Sequence, residues 1–280
     1  MTHIWQEQAL KVPLDSRSIE LRLLILRALQ GGQRGHVGPA LSLVEIFRVL
    51  YDDVLKFKAN EPQWEGRDRC ILSKGHGCLA LYALLANKGF FSKDELDHFC
   101  EFDSILGGHP EPKVPGVEIP SGSLGHGLAI GVGMAIASKI KKKNNKIFVV
   151  MGDGETNEGS VWESALAAAK HQLGRLTAII DYNKMQSYGT TREVLDLEPL
   201  ADKWKSFGFS VQEVNGHDVN QLKAVFSSLP YEGNKPNVVI CHTTKGKGFK
   251  PAENNANWHH KSKLTTEEIE KIHEGLREVG

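Results

Sequence analysis

The chain has 280 residues, 40% of them hydrophobic and 24% charged, an ordinary balance for a globular protein and enough length for one large or two small domains. Lys plus Arg number 34 and Asp plus Glu number 34, so the formal net charge is zero and no nucleic-acid partner is expected. No apolar stretch approaches the roughly 20 residues needed to span a bilayer. No signal-peptide pattern opens the chain, and its four cysteines form no Cys-x-x-Cys pair. Free thiols, a cytoplasmic location and no membrane partner are the expectations that follow.

The first half reads as helical. Residues 19–29 carry apolar side chains on more than one face, which predicts a buried helix. Ser42-Leu-Val-Glu45 and Ser92-Lys-Asp-Glu95 each fit a capping box at a helix start. Gly89 reads as a helix stop after residues 81–88. Pro110, Pro112, Pro115 and Pro120 make residues 108–120 irregular. Residues 123–143 are apolar and small, with Gly125, Gly127, Gly131 and Gly133. Glycine lowers helix propensity, so something is expected to approach that backbone closely. The basic run 139–143 reads as a solvated helix end, where cations suit the negative end of the dipole.

The second half alternates. Strands are predicted at 147–151, 176–181, 210–214 and 238–241, and helices at 161–171, 200–207 and 219–227, with a final polar helix at 265–279. Strands separated by helix-sized segments predict an α/β fold, a parallel sheet with helices on both faces. No internal repeat or low-complexity linker interrupts it. The organisation expected is one domain over 1–280, with a helical N-terminal layer to residue 145 and an alternating part from 146.

Two of these runs end on oxygen-bearing side chains. The first closes on Gly152-Asp153-Gly154, and 30 residues after its Asp the second closes on Asn183. Ligands of open parallel sheets bind beyond the carboxyl ends of strands. Asp153, Asn183 and a backbone carbonyl near Met185 could share a divalent ion with water and a phosphate. Gly152 and Gly154 would let the backbone approach phosphate oxygens. A plain turn is the competing reading, since Asp and Gly dominate turns. Gly122-Ser123-Leu124-Gly125-His126-Gly127 lacks the strand and spacing of a dinucleotide fingerprint. It reads either as a loop opening a helix toward a ligand or as a tight helix-packing site.

Twelve histidines are present, several beside glycine: Gly35-His36, Gly75-His76-Gly77 and Gly108-His109, with His259 and His260 near the C-terminus. A lone loop histidine is most often a surface residue. Several together can pass protons and bind sugar hydroxyls, and their spacings do not fit a compact zinc motif. Lys245, in a glycine-rich stretch after the last predicted strand, faces either a phosphate or solvent.

Taken in order, these segments resemble the diphosphate-binding N-terminal part of transketolase over nearly the whole chain. The matching pieces are Gly35-His36, Asp68-Arg69, Ser73-Lys74-Gly75-His76-Gly77, Gly108-His109-Pro110, Gly122 to Gly125, Gly152-Asp153-Gly154 with Asn183, and Lys245 with Trp258-His259. The resemblance implies a thiamine diphosphate-binding fold, thiamine diphosphate and Mg²⁺, or Ca²⁺ or Mn²⁺ in its place. It implies Asp153, Asn183 and the Met185 carbonyl as metal ligands. His76, Gly122, Ser123, Leu124, Gly154, Glu158, Asn183, Lys245 and His259 become cofactor contacts, and His36, His109 and His259 the catalytic residues that hydrogen-bond the sugar. Glu158 matches a subunit-interface glutamate. Pro39 and His126 depart from the pattern. No segment resembles the pyrimidine-binding domain, whose glutamate activates the cofactor. The resemblance therefore implies one half of a split transketolase, paired with a C-terminal subunit in an α2β2 assembly that works on sugar phosphates. The alternatives are a 1-deoxyxylulose-5-phosphate synthase-like enzyme or another thiamine diphosphate enzyme subunit, and a non-catalytic cofactor-binding subunit.

Overall fold

The computed structural model describes residues 2–278. Met1, Val279 and Gly280, which the domain reading and in part the last predicted helix included, lie outside the described residues. Each of the four predicted strands is present, as β2 (Ile147–Gly152), β3 (Leu176–Tyr182), β4 (Ser210–Asn215) and β5 (Asn237–His242). A further strand, β1 (Arg69–Leu72), corrects the reading of the first half as helical throughout. Four residues are too few to display a period. The Asp68 carboxylate fixes its start by accepting the Lys56 and Lys146 amides at 2.9 and 2.7 Å. All five strands are parallel, in the order β1-β2-β3-β5-β4.

The helices are α1 (Thr2–Lys11), α2 (Ser16–Gly32), α3 (Val37–Leu41), α4 (Val44–Val49), α5 (Cys78–Asn87), α6 (Gly127–Ile140), α7 (Gly159–Lys170), α8 (Thr191–Val194), α9 (Leu200–Ser206), α10 (Val219–Ser227) and α11 (Thr266–Glu278). They cover both faces of the sheet. Successive strand residues point to opposite sides. Phe148, Val150, Ile179 and Val239 join a core with α2, α4, α5, α10 and α11, whereas Val149, Met151, Ala178 and Ile240 pack with α6, α7 and α9. A Cβ on Gly131 would come within 2.6 Å of Val149, so α6 lies flush on β2; at Gly133 nothing approaches, and the expectation of close contact fails there. Gly89 ends α5 as expected, with φ of +80°.

Ser92 caps a 3₁₀ turn (Lys93–His98), its Oγ accepting the Asp94 amide at 3.2 Å. The box read at Ser42 is not formed. Helix α4 has Leu43 at its N-cap with no side-chain cap, and the Ser42 hydroxyl donates instead to Asp181 Oδ2 at 2.6 Å. Glu45 turns into the core, where Arg22 Nη1 donates to it at 2.6 Å and His217 Nδ1 lies 2.7 Å from its Oε2. Burial alone would raise the Glu45 carboxyl, but the Arg22 charge and the His217 contact hold it well below the ordinary range. The same Arg22 donates through Nε to the Lys247 carbonyl at 2.9 Å. A buried ion pair left half-paired is strongly destabilising, so this group locks the helical layer onto the loop that carries Lys245. Among the described residues no helix is long and apolar enough to cross a membrane.

Candidate active site

The carboxyl ends of β1, β2, β3 and β5 converge on a cleft of about 640 Å³. Lys74 enters it just past β1, Asp153, Gly154 and Glu155 past β2, Asn183 and Met185 past β3, and Lys245 past β5. His36, His76, His109, Gly122, Leu124, Glu158 and His259 complete the lining among the residues expected there. Ser123 does not line the cleft; its hydroxyl sits on the exposed side, 3.3 Å from His126 Nδ1.

The floor is charged and buried. Asp153 accepts the Gly154 amide at 2.7 Å and the Lys184 amide at 2.6 Å. Burial, and then the neighbouring Asp181 charge, push its carboxyl up to about 6. Asp181 accepts from Lys74 Nζ at 2.5 Å and from the hydroxyls of Ser42 and Thr243. Burial opposes its charge, but the Lys74 ammonium holds its carboxyl below the ordinary value. Asn183 donates to Asp181 Oδ2 at 3.3 Å, and its own Oδ1 accepts the Met185 amide at 3.0 Å. Lys245 donates to the Met185 carbonyl at 2.9 Å and to His259 Nδ1 at 2.7 Å. Burial, and then the charge of Lys74, lower it to about 8.

Glu155 clasps this floor together. One carboxylate oxygen accepts the Gly125 amide at 2.9 Å and the Ser73 hydroxyl, and the other accepts the Gly152 amide at 3.1 Å. The Ser73 oxygen in turn accepts the Gly127 amide at 3.1 Å. One side chain thus fixes the ends of β1 and β2 against the start of α6, and burial raises its carboxyl. Gly125, at φ +81°, is required beside it, because a Cβ there would meet Glu158 Cβ at 2.7 Å.

The opposite wall is imidazole. Ring centres lie 5.5 Å apart for His36 and His76, 5.8 Å for His36 and His109, 5.5 Å for His36 and His259, and 4.5 Å for His36 and His260. Burial is the main cause that lowers His36 and His259 to about 3 and His76 well below its ordinary value. Those three rings, His36, His76 and His259, are neutral near pH 7.

The donor set fits a hard divalent ion. A carboxylate, an amide oxygen and a backbone carbonyl are the ligands Mg²⁺, Ca²⁺ or Mn²⁺ prefer, with the shell completed by water or phosphate. Among the described residues three buried side-chain polar atoms lack a hydrogen-bond partner, and two of them belong to this region. Gln186 Nε2 stands over Gly154, where a Cβ would come within 3.1 Å of it, and Ser121 Oγ adjoins Gly75. Gln186, which lines the cleft, thus offers a free donor to a ligand oxygen or to water.

Sequence reasoning gave no site role to Lys74, Asp181, Glu155 or Gln186, and named His260 only among the clustered histidines. Lys74 had the available signal, a cation in a glycine-flanked loop, but the strand that delivers it was hidden. A second cavity of about 620 Å³, between α1 and α8, shares only Met185 with the expected site residues.

The family described as transketolase, thiamine diphosphate binding domain, matches residues 15–277. The chain belongs to the transketolase family. An apulose-4-phosphate transketolase subunit of Phocaeicola vulgatus is 43% identical over 266 residues, covering 95% of this chain and 93% of the relative. The 6-deoxy-6-sulfo-D-fructose transketolase subunit SqwG of a Clostridium species is 38% identical, covering 92% and 94%. Among solved structures, transketolase from Campylobacter jejuni superposes with a TM-score of 0.86 at 32% identity over 98% of this chain, and the Pichia stipitis enzyme in complex with sedoheptulose 7-phosphate with 0.86 at 29% over 93%. This chain spans 43% and 40% of those two. It is a transketolase subunit of the N-terminal kind, similar in length to the Phocaeicola and Clostridium subunits and in fold to the thiamine diphosphate-binding part of the longer enzymes.

Proposed function

We propose that this chain is the diphosphate-holding half of a two-chain transketolase that moves a two-carbon ketol unit between sugar phosphates. The observation that carries the reading is the single cleft in which an oxygen-donor floor faces a neutral histidine wall. Bound thiamine diphosphate supplies the electron sink for breaking and making the carbon–carbon bond.

Asp153, Asn183 and the Met185 carbonyl would hold Mg²⁺ or a similar ion against the diphosphate. Gly154, Leu124, Gly122 and His76 would line the cofactor, and Lys245 and Lys74 would offset its negative charge. Lys245 donates to one lone pair of the Met185 carbonyl, and the oxygen's second lone pair remains for the ion. His36, His109 and His259 face the sugar, where neutral imidazoles exchange hydrogen bonds with hydroxyl groups. Ser123, which the cleft does not expose, carries no contact in this reading.

The chain acts as one thiamine diphosphate-binding domain over its whole length, in the cytoplasm. Its partner supplies the pyrimidine-binding domain, and the site is completed where two such pairs assemble as α2β2, with Glu158 at the rim of that contact. The names of the relatives point to ketoses with an anionic end, a phosphate in one case and a sulfonate in the other.

The test mixes the purified chain with its candidate partner, thiamine diphosphate and Mg²⁺, and measures two-carbon transfer from xylulose 5-phosphate to ribose 5-phosphate. Transfer is expected only with both chains present. Condensation of pyruvate without ketol transfer would favour the deoxyxylulose phosphate synthase-like alternative, and background rates with bound cofactor would favour a non-catalytic subunit.

A further inference from the structure

The segments around residues 35 and 261 form an antiparallel bridge. Gly35 and Lys261 exchange amide-to-carbonyl hydrogen bonds, both at 2.9 Å. In that register residue 36 stands opposite residue 260, and side chains of such opposite residues meet across the pair. His36 and His260 do so, with ring centres 4.5 Å apart.

The bridge sets His260 beside the histidine wall. His36 is half-buried and packs against His76, His109 and His259, of which His259 contacts the floor through Lys245. His260 packs on His36, neighbours His109 and His259, and is exposed; it stands beside the cleft lining, not in it. Its backbone is held on both flanks. Trp258 is buried against Phe249, ring centres 5.0 Å apart, and the Lys261 ammonium lies over Trp258 at 4.2 Å while donating to Glu268 at 2.9 Å. Among the described residues the His260 ring itself makes no hydrogen bond, so both of its nitrogens are available to a ligand.

A ketose whose reacting carbons lie beside His36, His109 and His259 can bring its remaining carbons to His260, which packs on His36 and is exposed. On the transketolase reading above, we propose that His260 is a specificity-determining residue whose imidazole hydrogen-bonds the hydroxyl-bearing tail of the sugar. The inner histidines handle the two-carbon fragment common to every ketol donor, and His260 distinguishes donors by what lies beyond it.

The test uses the complete two-chain enzyme with two donors, xylulose 5-phosphate and hydroxypyruvate, the second being a ketol donor with no polyol tail. His260→Ala is expected to raise KM for xylulose 5-phosphate roughly 5- to 10-fold, the scale of one ordinary hydrogen bond. KM and kcat for hydroxypyruvate, and thiamine diphosphate affinity by calorimetry, should stay within about twofold, a change too small for a lost hydrogen bond. His260→Gln, which keeps a donor and an acceptor, should recover most of the loss. An equal rise in KM for both donors would assign His260 a merely structural part in the wall, and an unchanged KM for xylulose 5-phosphate would remove it from the substrate; either overturns the proposal. Should the wild-type enzyme transfer from neither donor, the transketolase reading itself fails and this proposal falls with it.

Discussion

The two walls of the cleft are built on opposite principles. On the floor nearly every group is charged and nearly every charge is spoken for: Lys74 against Asp181, Lys245 on the Met185 carbonyl and His259, Glu155 on two amides and a hydroxyl. On the facing wall four of the five rings, those of His36, His76, His109 and His260, make no hydrogen bond among the described residues, and burial keeps His36, His76 and His259 uncharged. Buried charges persist only when paired, so the floor is organised before any ligand arrives and suits an ionic one. A neutral ring with open nitrogens suits hydroxyl groups. The contrast assigns the diphosphate end of a cofactor to one wall and the sugar to the other.

Breaking the floor should cost the most. Asp153→Ala removes the only carboxylate in the proposed ligand set. Thiamine diphosphate affinity in the presence of Mg²⁺, read by calorimetry, should fall more than about 100-fold, since a charge-assisted contact of this kind is worth about 1.5–3 kcal/mol and the ion's contacts fall with it. Unchanged affinity would refute the ligand role. His109→Ala attacks the other wall. It should leave cofactor affinity in place and lower kcat/KM for sugar phosphates roughly 10- to 100-fold, the loss of one strong hydrogen bond in the transition state. If both variants damaged cofactor binding equally, the division of labour between the walls would be wrong.

A subtler test separates the walls by pH. The Asp153 carboxyl, near 3.8 in an unfolded chain, sits at about 6 in the ligand-free fold. A raised carboxylate favours the protonated native state, so its contribution to stability is present at low pH and is lost as pH rises through about 6. A divalent ion needs the ionised form and reverses that loss. The rise in Tm on adding Mg²⁺ and thiamine diphosphate should therefore be several degrees larger at pH 8 than at pH 5.5. An equal or larger rise at pH 5.5 would mean that Asp153 does not meet the ion.

The legibility of the two walls in the sequence differed for the same physical reasons. Asp153 and Asn183 stand directly after long apolar strands, a local pattern that periodicity reveals. Lys74 stands after β1, whose Cys70-Ile71-Leu72 is too short to show any period, and Asp181 is the penultimate residue of β3, where a single charge passes for the strand's end. The pairing of those two is set by the β1-β2-β3 order and spans 107 residues. Histidines 36, 76, 109 and 259 were conspicuous beside glycine or in their ordered likeness to transketolase, yet their convergence is a property of the fold. Ser42 and Glu45 misled because a capping box is a local alternative that loses to Arg22, His217 and Asp181, all distant in sequence.

Gly89 offers the smallest effect and the control for the rest. It was legible as a helix stop, and it sits after α5, whose opposite end abuts His76. Its φ of +80° is strained for an L-residue, but a Cβ there would meet nothing within 4 Å. Gly89→Ala should cost only the backbone term, about 1 kcal/mol, seen as a fall of a few degrees in Tm. Neither cofactor affinity nor KM should move, because both walls are anchored elsewhere, the floor by Glu155 and the imidazole wall by the Gly35–Lys261 bridge. A variant that loses activity while keeping its Tm would show that α5 transmits strain along its length to His76, and the imidazole wall would then have to be treated as movable.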